Sequence, residues 1–217
     1  MSSVSSAMYF RDRNDAARLL AKALEAYKGK NPLVLAIPRG AVPMGKLIAD
    51  ELGGEVDVVL VRKLRAPGNP ELAIGAVDET GWCHIADYAA TTGANAEYIE
   101  REKLAQLETI RRRRAEYTPV RPPVDPAGRI VIVIDDGLAT GATMISALHA
   151  LRSRKPQKLI CATPVSPPDT LDKVKQYADE VVCLEAPVNF YAVGQFYMDF
   201  PQVEDEEVIA VLRESKR

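Results

Sequence analysis

Histidine is almost missing from this chain, with His84 and His149 the only two in 217 residues. Imidazole-built zinc chemistry and a Ser-His-Asp triad are therefore poor fits. Cysteine is scarce too: Cys83, Cys161 and Cys183 are odd in number and widely spaced. They suggest neither a disulfide framework nor a zinc site, and they suit a reducing, cytoplasmic setting. Nor is there a basic surplus, since 28 Lys and Arg stand against 30 Asp and Glu for a net charge of −2. A phosphate backbone demands such a surplus, so no nucleic-acid partner is expected. No apolar run approaches the roughly 18 to 20 residues that span a bilayer, so no membrane partner is expected either. The opening MSSVSSAMYFRDR lacks a charged start followed by an apolar block, and no signal peptide is expected. Two phosphate-binding signatures, G-x-x-x-x-G-K-[ST] and G-x-G-x-x-G, are absent, which removes the main support for P-loop and dinucleotide readings.

What remains is an ordinary globular composition, 47% hydrophobic and 27% charged, at a length that suits one domain or one domain with a small appendage. Strand-like and helix-like segments alternate. Residues 14–27 carry Leu19, Leu20, Ala23 and Leu24 at helical spacing behind Asn14 or Asp15 as a cap. A short apolar run, 33–37, ends in Pro38-Arg39-Gly40 and reads as a buried strand entering a sharp turn; 42–52 then reads as a helix closed by Gly53-Gly54. Further strands are expected at 56–61, 130–134, 159–162 and 181–184, with helices at 143–153, 170–177 and 204–213. Continuous apolar strands separated by amphipathic helices predict an α/β fold with a mostly parallel sheet flanked by helices. A highly charged helix is expected over 96–117, and its run Arg111 to Arg114 must be at least partly solvated, because four consecutive residues point all round a helix axis. Residues 73–86 suggest a hairpin around Glu79-Thr80-Gly81.

The segment richest in chemistry is IVIVIDDGLATGATM, residues 130–144. A buried strand ends in two adjacent carboxylates, Asp135 and Asp136, followed by a loop of small and hydroxyl residues and then a helix. Ligands of open α/β sheets sit outside the carboxyl ends of the strands, where this loop must lie. Small residues let backbone N–H groups approach a ligand, and a helix N-terminus aims more of them, with partial positive charge, at the same spot. Thr140 and Thr143 add hydroxyl donors, which makes a cradle for a monophosphate. Two carboxylates beside it would repel a bare polyphosphate, but they suit a ligand that brings hydroxyl groups or a divalent cation. Phosphate, vicinal diol and Mg²⁺ together describe a phosphorylated ribose.

Asp135-Asp136-Gly137-Leu138-Ala139-Thr140-Gly141-Ala142-Thr143 resembles the 5-phosphoribosyl-1-pyrophosphate (PRPP) loop of type I phosphoribosyltransferases. The resemblance implies that Asp135 and Asp136 hold the ribose hydroxyls and that Ala139 to Thr143 bind the 5′-phosphate, with Gly137 and Leu138 completing the loop. Gly137 departs from the family, which usually has an aliphatic residue there. At Ala139 the 6-oxopurine enzymes carry an aspartate that serves as general base, so the string is closer to the adenine-type loop. Pro38-Arg39-Gly40-Ala41 resembles the family's pyrophosphate loop, where Arg39 would offer a forked cation and Gly40 an open backbone. Residues 62–71, with Arg62, Lys63 and Arg65 among prolines and a glycine, resemble the flexible catalytic loop that closes over the reacting sugar. The aromatic segment 187–200 resembles the hood that stacks a base over the ribose, with Phe190, Tyr191, Phe196 and Tyr197 as candidates; the same rings read equally as a small satellite core.

The resemblance implies one phosphoribosyltransferase domain over 1–217, with a core at 30–185, a flexible loop at 62–76 and a hood at 187–200. It implies a Mg²⁺-dependent transfer of ribose 5-phosphate from PRPP to a nitrogenous base or amine, releasing pyrophosphate. Asp135, Asp136, Arg39 and Lys63 would act at the reacting centre, and Asp135, Asp136 and Asp199 would hold the metal. A homodimer is the family default. A non-catalytic PRPP sensor acting on a partner protein is the alternative, kept open by Ala139 and by the lack of an evident general base.

Overall fold

A computed structural model describes residues 9–215; the opening residues 1–8, where the absence of a signal peptide was expected, lie outside the described residues. Five strands form its centre: β1 (Leu33–Ala36), β2 (Glu55–Val58), β6 (Ile130–Ile134), β7 (Lys158–Val165) and β8 (Glu180–Glu185). They make one wholly parallel sheet in the order β2-β1-β6-β7-β8. Along β1, alternate residues serve two apolar layers: Val34 and Ala36 face one, Leu33 and Leu35 the other. A strand covered on both faces must be apolar at every position, which is why these runs show no alternation.

On one face lie α1 (Arg13–Ala23), α2 (Val42–Leu52) and α6 (Asp205–Glu214). On the other lie α4 (Ala142–Arg152) and α5 (Pro168–Val174). Local signals start and stop these helices. The Asp12 side chain accepts from the Asp15 amide at 2.8 Å at the start of α1, and Gly53 closes α2 at φ +70°, the left-handed region that glycine tolerates.

A second, antiparallel sheet of β3 (Val61–Ala66), β4 (Asn69–Asp78) and β5 (Cys83–Ile85) stands apart. It corrects two expectations. The run 56–61 is not one strand: β2 stops at Val58, and Val61 opens β3. Residues 62–71, expected as an irregular loop, are mostly paired strand, turning at Pro67-Gly68. Their charges disguised a strand whose Leu64 and Ala66 are buried. The hairpin turn at 79–82 lies where expected. Helix α3 (Ala96–Tyr117) packs against β3 after Asn95 caps it by accepting from the Tyr98 amide at 2.8 Å. No described helix is long and apolar enough to cross a membrane. The three cysteines carry no disulfide, and Cys161 is buried.

Candidate active site at the sheet's switch point

From β1 the chain moves outward to β2 on one side; from β6 it moves to β7 and β8 on the other. The carboxyl ends of β1 and β6 therefore flank the point where strand order reverses, the crevice in which open α/β sheets bind ligands. Two of the predicted loops emerge there. Ile37 donates to the Ile134 carbonyl at 3.1 Å, so the strands stay paired up to both loops.

The loops touch at Gly40 and Asp136. A Cβ built on Gly40 would lie 2.4 Å from Asp136 Oδ2 and 3.0 Å from Arg13 Nη2, so any larger residue here would push that ion pair aside. The Pro38–Arg39 peptide is cis. Among the described residues, the amides of Arg39, Gly40 and Ala41 have no hydrogen-bond partner. Arg39 Nη1 lies 3.7 Å from Asp205 Oδ1 at the start of α6.

In the second loop, Leu138 is tied down, its amide donating to the Val165 carbonyl at 2.9 Å. Thr140 Oγ1 accepts from the Ala142 amide at 3.3 Å. Gly141 stands at φ +81° at the head of α4. The amides of Ala139, Thr140, Gly141, Thr143 and Met144 have no partner among the described residues. A run of unspent donors at a helix N-terminus is suited to an anion.

The two acids are not equivalent. Asp135 accepts from the Asp136 amide at 2.9 Å; burial, then the neighbouring Asp136, push its carboxyl well above the usual range. Burial also raises Asp136, while Arg13 opposes the rise. Arg13 Nε lies 3.1 Å from Asp136 Oδ2, and its guanidinium lies 3.8 Å over the Phe200 ring. Tyr197 donates its hydroxyl to the Asp136 carbonyl at 2.6 Å. Asp136 is thus held by one of the protein's own cations, while Asp135 is paired with no cation among the described residues.

A model of the phosphoribosyl transferase domain matches residues 7–201, most of the chain. The chain belongs to that family. Two curated Mycobacterium tuberculosis proteins, from strains CDC 1551 and H37Rv and provisionally named phosphoribosyl transferases, are each 40% identical over 209 residues. That alignment covers 96% of this chain and 47% of theirs, so the chain spans about half the length of these relatives. A crystal structure of the protein TT1426 from Thermus thermophilus superposes with a TM-score of 0.79 at 46% identity, covering 95% of this chain and 99% of that one.

Within this phosphoribosyl transferase domain, Gly137 has a steric cause. A Cβ there would lie 2.5 Å from Val193 Cγ1 and 3.1 Å from Val165 Cγ1. Val193 fills the space from the C-terminal segment. That segment also accounts for most of the predicted hood. Phe196 and Tyr197 are 2% and 6% exposed, packed with Phe10, Phe190 and Phe200. The Phe10 amide donates to the Phe196 carbonyl at 2.8 Å, and Met198 returns a bond of 2.8 Å to the Phe10 carbonyl. Rings so enclosed present no face to a base, and the satellite-core alternative describes these two. Phe190 is partly buried, whereas Tyr191 is 89% exposed.

Arg62 and Lys63 are neighbours on β3, facing Val77 and Ala76 of β4. Successive strand side chains point to opposite faces, so they do not aim together at one anion. Arg62 Nε donates to Gln106 Oε1 of α3 at 2.9 Å. Asp199 does not join Asp135 and Asp136: no three His, Cys, Asp or Glu side chains that could hold a metal gather among the described residues. Two hard, mutually repelling carboxylates fit Mg²⁺, which takes one or two protein carboxylates plus substrate oxygens. Sequence reasoning missed Arg13 and the bond from Tyr197. No local signal marks them, since each lies dozens of residues from Asp136.

Proposed function

We propose that this chain transfers ribose 5-phosphate from PRPP to a nitrogen nucleophile. The nitrogen lone pair forms a bond to the ribose C1, the bond from C1 to the pyrophosphate oxygen breaks, and pyrophosphate leaves with that electron pair. The observation that carries this reading is the contact of Gly40 with Asp136 at the switch point, with unspent amides on both sides. One loop is suited to a pyrophosphate, the other to a terminal phosphate, and the acids lie between them as a ribose would.

Residues 139–143 would bind the 5′-phosphate through backbone amides and the Thr143 hydroxyl. Asp135 and Asp136 would accept from the 2′ and 3′ hydroxyls. The same carboxylates would hold Mg²⁺, which supplies charge neutralisation for the departing pyrophosphate. Arg39 would bind a pyrophosphate oxygen, and aligning two reactants in this way supplies roughly 7 to 11 kcal/mol of the barrier. The hairpin within 62–76 would close over the sugar. Arg13 is a positioning residue, holding Asp136 until hydroxyl donors reach it.

The test is PRPP binding by calorimetry in Mg²⁺ with the Asp135→Asn, Asp136→Asn double variant. Lost affinity with unchanged circular dichroism is expected, and unchanged affinity would remove the assignment. Ala139 supports a second reading, a PRPP sensor, because it leaves an exposed methyl where 6-oxopurine enzymes place a base. Pyrophosphate release across a panel of purines, pyrimidines and amines separates the two: a sensor releases none with any acceptor.

A further inference from the structure

A cavity of about 360 Å³ opens between the end of β4, the proline-rich connector after α3 and the last turn of α4. None of its lining residues belongs to the 38–41 or 135–143 loops, so it is separate from the switch-point site. Its walls are mostly apolar, with Leu35, Val59, Val124 and Leu151 among them. Two acids interrupt that lining. Asp57 of β2 and Asp78 at the end of β4 are each only 2% exposed.

The other charges around the cavity are balanced: Glu79 is bridged to Arg114, and Arg154 lies 3.6 Å from Asp125. Asp57 and Asp78 form no ion pair among the described residues. Backbone amides satisfy Asp57, whose Oδ1 accepts from Val58 at 2.8 Å and whose Oδ2 accepts from Val124 at 2.9 Å. Burial still holds its carboxyl above the usual range, against the pull of those amides. Asp78 is only half satisfied. Its Oδ1 accepts from the Thr80 amide at 2.7 Å, the Thr80 hydroxyl at 2.6 Å and the Trp82 amide at 3.3 Å. Its Oδ2 is buried and accepts from nothing among the described residues. A buried carboxylate oxygen without a donor is unfavourable, and low-dielectric walls sharpen the penalty. A donor from outside the chain would come through the cavity that Asp78 lines.

We infer that this cavity binds a small organic cation, an apolar amine or amidine whose N–H groups donate to Asp78 Oδ2. Its apolar body would lie against Leu35, Val59, Val124 and Leu151. Two buried acids without a cationic partner favour a positive occupant and repel a carboxylate or phosphate. The volume lies in the range of roughly 300 to 1,000 Å³ usual for small-molecule sites. The inference is independent of the transfer reading, because PRPP is an anion and would occupy other loops.

Benzamidine, benzamide and benzoate share nearly one shape and carry positive, no and negative charge, and calorimetry on the full chain compares them. Benzamidine is expected to bind about tenfold more tightly than benzamide, the effect of a charge-assisted hydrogen bond, and benzoate not at all. Asp78→Asn keeps an oxygen for Thr80 and Trp82 and should lose about tenfold in benzamidine affinity. Ala150→Phe would fill the cavity from α4 and should abolish binding without touching either acid, which keeps the test decisive if Asp78→Asn fails to fold. Asp172→Asn, at an exposed acid of α5, should change nothing. Equal affinity for benzamidine and benzamide, or no benzamidine binding by the parent, overturns the inference. Full binding by Asp78→Asn or by Ala150→Phe does the same. So does a loss in Asp135→Asn, which would put the amidine at the switch-point site instead. Failure of the parent to bind PRPP would defeat the transfer reading alone.

Discussion

Arg13, one residue past the cap of α1, closes on Asp136 at 3.1 Å across 123 residues of chain. The pair ties the first helix to the loop after β6. Both side chains are largely hidden, 12% and 16% exposed, so the carboxylate depends on this cation for its charge.

Replacing Arg13 with Gln should therefore cost about 3 kcal/mol near pH 7.5, the usual consequence of leaving a buried charge unpaired. The sign with pH follows from Asp136, whose folded pKa already lies above 3.8 because of burial and would rise further without Arg13. A raised folded pKa gives stability that is fully present below the unfolded value and is lost as pH rises through the folded one. The variant's deficit should thus shrink toward pH 4. Urea unfolding at both pH values checks this, and equal losses would mean that what Arg13 contributes does not depend on the charge of Asp136.

Asp135 behaves oppositely to a stabilising acid. Burial and Asp136 lift its pKa, so the stability it contributes is full below about pH 4, where the unfolded carboxyl titrates, and is lost as pH rises toward the raised folded pKa. Asp135→Asn should raise Tm at pH 7.5 by about 2–4 °C, the shift that about 1 kcal/mol makes in a chain of this size, while PRPP affinity falls at least tenfold. The gain should fade in acid. A variant that is less stable at neutral pH would mark Asp135 as structural.

Gly137→Ala should cost about 1–3 kcal/mol by overpacking, because the new methyl would meet Val193 Cγ1 at 2.5 Å. Adding Val193→Ala should restore most of the loss. A double-mutant cycle by thermal unfolding measures the coupling; additive losses would show that Val193 does not occupy that space.

Phe196→Ala should cost about 3–5 kcal/mol, as for other buried aromatic rings, whereas Tyr191→Ala, at 89% exposure, should stay within about 0.5 kcal/mol. If Tyr191 stacks on the acceptor, its loss should raise the acceptor KM without changing Tm. Comparable stability losses in the two variants would reject this division of the aromatic segment.

Much of the site was legible because it is contiguous. Residues 130–134 are β-branched throughout because both faces of β6 are covered, and Asp135 to Thr143 follow as one unbroken loop. Residues 62–66 misled because their charges signal a loop, while only Leu64, Ala66 and the ladder to β4 reveal a strand. The hood reading failed at Phe196 and Tyr197 because aromaticity is the same in a core as on a stacking surface, and the pairing with Phe10 made them core.

Local chemistry in the chain was enough to specify the parallel strands, the capped helices, and the loop of two acids, small residues and hydroxyls, since each depends on neighbours a few positions apart. The folded arrangement alone brought Arg13 onto Asp136, set Gly40 against that carboxylate, and placed Asp57 and Asp78 along one cavity. Those relationships join elements far apart in sequence. They arise from how helices and strands pack, which no short window of residues encodes.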